Sequence, residues 1–522
     1  MDIARGEQAD SLARNFDHVA DSYDELPYDD RPIFRTHPGR LAASARLFGL
    51  NPVPLERARV LELGCAAGAN IIPLAVFYPD ARFVGIDLGR VQIEDGQRRV
   101  AAMGIGNIEL RCESITDFPR DAGEFDYIIC HGVYSWVPAP VREAILALCS
   151  RHLSPDGIAY ISYNVLPGWR VLQPLRDALR ALLPRDASIP DRARLGRQLV
   201  TYLAGMTPDK SSYGSALKQL PAQVSDSSDA YLFHEFMEEV NDPFLFSEFV
   251  ADAGRHDLAY LCETELSPMF AERYGEEFAS ALAQSTRDDV ISHEQMLDIL
   301  SGNTFRTTLL VPGAKLPEID RGISMHRLAE LHFVPSYLYS CRREADIVSI
   351  VNRAGQSFDY DDPVVQRLIE RLFGGILRSH TFDDLLAGFA DQDLEDVTEA
   401  LVAMVMGGMV ILNDTALPIG AAGDCPCANA VARADAAMGR NTTATRMHVS
   451  VEVDDFGRYL LPRLDGTRSV SEIAASVAAD LNSGAIELTA PDGVKPGDYT
   501  AIARSVVDTA LANLADHGLL EG

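Results

Sequence analysis

The sequence predicts an α/β fold, a doubly wound and mainly parallel sheet with a helical insertion, followed by two small α+β modules of winged-helix-like pattern. Three features of the chain point to it. Val60-Leu61-Glu62-Leu63-Gly64 is an apolar run that breaks at glycine into the small-residue turn Cys65-Ala66-Ala67-Gly68-Ala69-Asn70. Phe83-Val84-Gly85-Ile86-Asp87 is a second apolar run, and it ends in an acid. Strand-like and helix-like segments then alternate to about residue 163, the pattern of a parallel sheet with helices on both faces.

Residues 14–50 read as helices and loops leading into the first strand. Strands are expected near 59–64, 82–87, 108–113, 125–131 and 157–163, and helices near 68–78, 90–103 and 139–152. After Gly168-Trp169 the pattern is helical to about residue 255. Two stretches, 257–264 and 304–311, then read as strands again, an antiparallel pair closing the same sheet after a helical block at 170–235. The linker from Pro312-Gly313 to Pro317 ends that unit. Beyond it, 381–412 and 468–520 share one order: short helix, longer helix, glycine, short apolar strand. That order is winged-helix-like. The expected division is 1–168 for the nucleoside-binding core and 169–315 for a helical middle region that includes the last two core strands. Two winged-helix-like domains follow, at 316–415 and 416–522.

A chain of 522 residues exceeds one hydrophobic core, and 47% hydrophobic with 23% charged residues is ordinary globular composition. No apolar run approaches the roughly 20 residues of a membrane helix. Met1-Asp2-Ile3-Ala4-Arg5-Gly6-Glu7 has no apolar signal core, so no membrane insertion and a cytoplasmic location are expected. The eight scattered cysteines then read as reduced thiols. A net charge of −30 argues against nucleic acid, and favours a basic partner, protein contact or a homodimer. Arginine carries nearly all the positive charge; the lysines are Lys210, Lys218, Lys315 and Lys495. Cys425-Pro426-Cys427 has no second pair at zinc spacing, so no metal is expected.

In Rossmann-like sheets the backbone approaches a nucleoside at the first turn, and the acid ending the second strand takes the ribose hydroxyls. A dinucleotide site needs G-x-G-x-x-G, whereas those positions here are Gly64, Ala66 and Ala69. What stands instead is E-x-G-x-x-x-G, with Glu62 before the turn. A carboxylate there repels a pyrophosphate and suits a cationic, amino-bearing ligand. S-adenosylmethionine carries both a sulfonium and an ammonium, so it is the expected cofactor. Candidate contacts in the turn are Glu62, Gly64, Cys65, Ala66, Gly68 and Asn70, with Asp87, Leu88 and Gln92 at the second strand. Ser114 and Ile115, after the third strand, are candidates for the adenine, and His131 for a further contact. Tyr23, with Tyr28 and His37, lies in an aromatic-rich N-terminal segment that reads as a lid or as surface packing. The competing reading of the whole unit is a strand–turn–helix with merely solvated acids.

Ligands sit outside the carboxyl ends of the strands in such sheets. His131, Tyr134 and Trp136 follow the fourth strand and form the candidate acceptor side, an aromatic slot for an alkyl amine with cation–π attraction. Packing against the next helix is the alternative for Tyr134 and Trp136, and a structural hydrogen bond the alternative to a base for His131. Tyr163 and Asn164, ending the fifth strand, offer acceptors to an incoming amine. Methyl transfer to nitrogen needs the neutral amine, and an apolar slot lowers a lysine pKa from its usual value of about 10.4. In-line positioning then carries most of the catalysis.

Four segments, Glu62–Asn70, Val84–Leu88, His131–Pro138 and Ser162–Trp169, resemble the class I methyltransferases that carry a methyltransferase regulatory domain. The rickettsial protein-lysine methyltransferases that modify outer-membrane proteins are the best-known members. His234–Asn241 and Asn303–Leu310 are similar to segments of that regulatory domain. The resemblance implies S-adenosylmethionine as donor, a helical middle domain and a C-terminal region that helps hold a protein or peptide substrate. Ala66 replaces the second glycine usual in the turn. The expected activity is N-methylation of protein lysines. The alternatives are a metabolite acceptor and a non-catalytic binding protein; intact Glu62, Gly64, Gly68 and Asp87 speak against the last.

Overall fold

The computed structural model describes residues 31–521 except 185, 209–213, 216, 219–223, 225–226, 288, 375–377, 421 and 487–498. The described residues fall into two compact units, one of residues 55–75 and 80–319, the other of 31–54, 76–79 and 320–521.

The first unit is built on seven strands: β1 (Arg59–Leu63), β2 (Arg82–Asp87), β3 (Ile108–Cys112), β4 (Phe125–Cys130), β5 (Leu153–Asn164), β6 (Leu258–Glu263) and β7 (Phe305–Pro312). Their order is β3-β2-β1-β4-β5-β7-β6. β1 to β5 are parallel. Central strands covered on both faces read as unbroken apolar runs, which is why Val60, Leu61 and Leu63 are all fully buried. β7 runs against both β5 and β6, so of the two late strands only β7 is reversed relative to the rest. The first helix, Ile72–Phe77, is shorter than the expected 68–78 because the turn continues through Gly68 at φ +80°. Helix Arg90–Met103 stops at left-handed Gly104, and helix Ala139–His152 leads straight into β5. Helices Glu276–Thr286 and Val290–Ser301 form a second insertion, between β6 and β7, that the sequence reading did not separate.

One buried cation organises the β6–β7 edge. The Arg306 guanidinium donates from Nη1 to Glu263 Oε1 (2.8 Å) and Glu294 Oε2 (3.0 Å), and from Nε to Asp298 Oδ2 (2.8 Å). It also donates to the Glu294 carbonyl and lies 4.1 Å over the Phe246 ring. Glu263 in turn accepts from the Thr307 amide and the Thr308 hydroxyl. At the other end of β7, Lys315 bridges Asp156 (2.7 Å) and Glu318 (3.1 Å).

In the second unit, helix Pro38–Leu47 packs on β12 (Val410–Asn413), which pairs antiparallel with β8 (His332–Pro335). A Cβ on Gly39 would meet Asn413 Oδ1 at 2.8 Å, and Asp414 pairs with Arg46. His37, read from the sequence as part of an aromatic lid or surface segment, caps this helix by accepting the Gly39 amide, and burial pulls its pKa down to about 3. A three-stranded meander, β9 (Tyr339–Glu344), β10 (Ile347–Asn352) and β11 (Ser357–Tyr360), was not anticipated from sequence. The expected helix, longer helix and strand follow at Phe382–Leu386, Leu394–Met406 and β12. Near the C-terminus, helices Val470–Ser483 and Thr500–Asp516 share a core of Ile473, Val477, Leu481, Val507 and Leu511.

Three carboxylates around one guanidinium cannot all be neutralised. Burial pushes the Glu294 carboxyl up to about 8; Arg306 opposes the rise and Glu263 adds to it. A carboxyl with a higher pKa in the folded state stabilises the fold fully below its ordinary 4.5, and loses that contribution as pH rises through about 8. Thermal melts are therefore expected to show a midpoint falling by on the order of 2–4 °C between about pH 5 and pH 8 from this group. Glu294→Gln is expected to flatten that slope; identical slopes in both chains would contradict the assignment.

Candidate active site

β1 ends in a turn whose backbone is left-handed at Gly64 (φ +74°), Ala66 (φ +48°) and Gly68 (φ +80°). A Cβ on Gly64 would lie 2.5 Å from Val133 Cγ2, so the loop after β4 rests directly on this turn. The unusual conformation of Ala66 is held by its N–H, which donates to Asp87 Oδ2 at 2.9 Å. The other Asp87 oxygen accepts from the Gly89 amide at 2.8 Å. Asp87 thus ties the turn to the start of helix Arg90–Met103. Glu62 is buried, and its Oε1 accepts from Asn70 Nδ2 at 2.7 Å. A buried carboxylate is costly unless a positive group or further donors offset it. A glycine cradle with a buried carboxylate below it and an acid beside it fits an ammonium- and ribose-bearing ligand, and S-adenosylmethionine is one.

The other predicted cofactor contacts divide. The Cys65 side chain is buried against Gly85, where a Cβ would approach its Sγ to 2.8 Å, so Cys65 offers only backbone to a ligand. Leu88 is exposed, whereas Gln92 is buried beside Gly89. The Glu113 amide donates to the Asp87 carbonyl, which brings the end of β3 next to β2. There Ser114 caps the single 3-10 turn Ile115–Asp117, and Ile115 packs partly buried on the core. Tyr23 lies outside the described residues.

On the acceptor side, His131 Nδ1 and the Tyr160 hydroxyl are 2.8 Å apart, and Phe305 stands edge-on to the imidazole. The Gly132 amide donates to Ser162 Oγ. Successive strand residues face opposite sides of a sheet, so Tyr160, Ser162 and Asn164 share the His131 side and Tyr163 does not. Tyr163 stacks on Phe249 at 4.1 Å, with its hydroxyl 3.1 Å from Thr308 Oγ1. Tyr134 joins the same buried aromatic cluster, edge-on to Phe249 (5.2 Å) and Phe244 (5.5 Å). Burial pushes both phenols above their ordinary range, so neither serves as a base. The structure therefore brings Tyr134 and Tyr163 together in the core, apart from His131 and Asn164. Trp136 is half-buried and meets Trp169 edge-to-face, with ring centres 6.5 Å apart. These are the only two tryptophans of the chain.

Sequence reasoning missed the segment 241–244. The Asp242 amide donates to the Ser135 carbonyl (2.8 Å), and the Phe244 amide to the Asn164 carbonyl (3.0 Å). Asp242 also pairs with Arg142, whose guanidinium lies over the Phe244 ring. Asn241 Oδ1 accepts from Asn164 Nδ2 at 3.2 Å. The turn triplet Asn241-Asp242-Pro243 was the one local signal that the helical pattern breaks there. Gly168 is forced by the same crowding, since a Cβ on it would lie 2.1 Å from the Asn303 carbonyl oxygen.

Comparison with known proteins agrees with this geometry. Residues 60–157 match a family model described as a methyltransferase domain, and 228–312 one described as a predicted methyltransferase regulatory domain. Residues 424–519 match one described as the PKMT C-terminal winged helix domain. An uncharacterised protein of Rickettsia prowazekii is 42% identical over 303 residues, 58% of this chain and 54% of that relative, so the chain spans about half of its length. A second uncharacterised protein of that organism is 36% identical over 235 residues, covering 45% of this chain and 94% of the relative. The structure of PKMT2 from Rickettsia typhi in complex with AdoHcy superimposes with a TM-score of 0.84 at 26% identity, over 95% of this chain and 100% of that one.

The turn geometry yields a direct test. Gly64→Ala forces an L-residue into left-handed backbone and a methyl into Val133. S-adenosylhomocysteine affinity by calorimetry is expected to drop at least about tenfold, the equivalent of 1.4 kcal/mol. Unchanged affinity in a normally folded variant would remove the turn from the cofactor site.

Proposed function

The chain belongs to the class I methyltransferases that carry a methyltransferase regulatory domain, and from that premise we propose that it transfers the methyl group of S-adenosylmethionine to lysine side chains of a protein. The observation that carries the reading is the contact of the Gly64 turn with Val133. It packs the turn that follows Glu62, tied to Asp87, against the loop after β4 that carries His131 and Trp136.

When bound, the cofactor supplies an electrophilic methyl on a sulfonium. Glu62 offsets its positive charge, and Asp87 takes its ribose hydroxyls while bracing the turn. The Trp136–Trp169 corner receives an alkyl ammonium by cation–π attraction, and the low-polarity surroundings favour its neutral, nucleophilic form. The bound ammonium would give up one proton to become the nucleophile; the nitrogen–carbon bond would form as the carbon–sulfur bond breaks with its electrons left on sulfur, and the product would carry the charge as a methylammonium. His131, held to Tyr160 through Nδ1 just after β4, is the residue we assign to take that proton. Glu62, Asp87 and Asn164 otherwise work by alignment, which alone reaches large effective molarities.

A protein acceptor is supported by the likeness to the Rickettsia typhi PKMT2 structure along 95% of the chain, and by a net charge of −30 that suits a basic substrate. Eight free cysteines support a cytoplasmic site of action. Among the described residues no helix is long and apolar enough to cross a membrane.

With labelled donor and a bacterial lysate, label is expected in protein bands and, after digestion, on lysine by mass spectrometry. Label confined to the low-mass fraction would defeat the protein-substrate reading. Trp136→Ala is expected to keep S-adenosylhomocysteine affinity within about twofold while turnover falls by at least about tenfold. Parallel loss of cofactor binding would contradict its place on the acceptor side.

A further inference from the structure

We infer that Asn241 is a positioning residue for the transfer: it turns the Asn164 side-chain amide so that its carbonyl oxygen, and not its nitrogen, faces the acceptor amine. This rests on the methyltransferase reading above.

Asn164 is only 2% exposed and is fixed at three points. Its amide N–H donates to Ser135 Oγ (2.9 Å), its carbonyl accepts from Phe244, and its Nδ2 donates to Asn241 Oδ1 (3.2 Å). The Oδ1 of Asn164 takes no hydrogen bond among the described residues. In this pair Asn241 Nδ2 is buried without a partner, whereas the Asn164 oxygen is not shut off, and an open amide oxygen at the carboxyl end of a central strand lies where ligands bind in this class of sheet.

The chemistry prefers an oxygen there. A neutral amine has one lone pair, which must face the methyl group, and N–H bonds that need acceptors. Oδ1 accepts one of them and leaves the lone pair free. The reversed amide would present an N–H donor, which competes for that lone pair. The oxygen of Asn241 selects between the two orientations, because an acceptor at that point draws the donor edge of Asn164 toward it.

Asn241 is itself anchored. Asp242, the next residue, donates to Ser135 and pairs with Arg142. Just upstream, the carbonyl of Glu239 accepts from Arg176 (3.2 Å) and Arg180 (3.0 Å), and Arg176 also reaches the Glu238 carbonyl. The regulatory-domain region thus delivers one side chain to the acceptor end of the sheet.

The experiment uses the full chain loaded with S-adenosylhomocysteine and n-butylamine as the probe, a mimic of a lysine side chain. Emission of Trp136 and Trp169, the only tryptophans, reports on this site alone. Asn241→Asp keeps an acceptor; Asn241→Leu has none, and Asn241→Ala replaces the leucine variant if that one does not fold. Wild type and Asn241→Asp are expected to respond with midpoints within about threefold of each other. The variants without an acceptor are expected to shift at least about tenfold, with S-adenosylhomocysteine affinity by calorimetry unchanged throughout. Equal midpoints in all chains, loss in Asn241→Asp equal to that in Asn241→Leu, or no response in wild type would overturn the inference. Absent S-adenosylhomocysteine binding would instead sink the methyltransferase reading beneath it.

Discussion

The buried guanidinium of Arg306 is the interaction on which the closed end of the sheet depends. It sits at the start of β7, the single reversed strand, and joins β6, through Glu263, to helix Val290–Ser301, through Glu294 and Asp298. β7 in turn pairs with β5, setting Phe305 opposite Asn164. A side chain buried at the β6–β7 edge therefore fixes the end of β5 that carries Asn164. Removing one partner from such a cluster leaves uncompensated buried charge, typically a loss of about 3–5 kcal/mol, far more than a surface ion pair is worth.

The site is assembled by backbone more than by side chains. The turn at Gly64 leans on Val133, the loop after β4 is held by Asp242, and the end of β5 by Phe244. Each contact joins segments distant in sequence, so the turn after β1 and the ends of β4 and β5 are braced by a few contacts. Gly64 and Gly168 are where that crowding leaves no room for a side chain.

What could be read from the chain followed from local physics. Strands buried on both faces announced themselves as apolar runs, and the Glu62–Asn70 turn and Asp87 carried the expectation of S-adenosylmethionine. Tyr163 and Asn164 were both expected at the acceptor, yet adjacent strand residues must diverge, and Tyr163 went to the core. The antiparallel pair that closes the sheet was expected at 257–264 and 304–311, whereas the arrival of Asn241 beside Asn164 was not legible, because it depends on contact across many residues. The meander at 339–360 was hidden for another reason: its first strand carries Arg342, Arg343 and Glu344, which read as a solvated loop.

The scarcity of lysine takes on meaning beside the lysine-directed chemistry proposed above. A guanidinium stays protonated and offers no free lone pair, so an arginine-rich surface presents little that such an enzyme could modify on itself. Lys315 is further protected: hydrogen bonds to Asp156 and Glu318 raise its pKa and hold it as an ammonium. A catalyst of this kind can work at high local concentration without consuming its donor on its own copies.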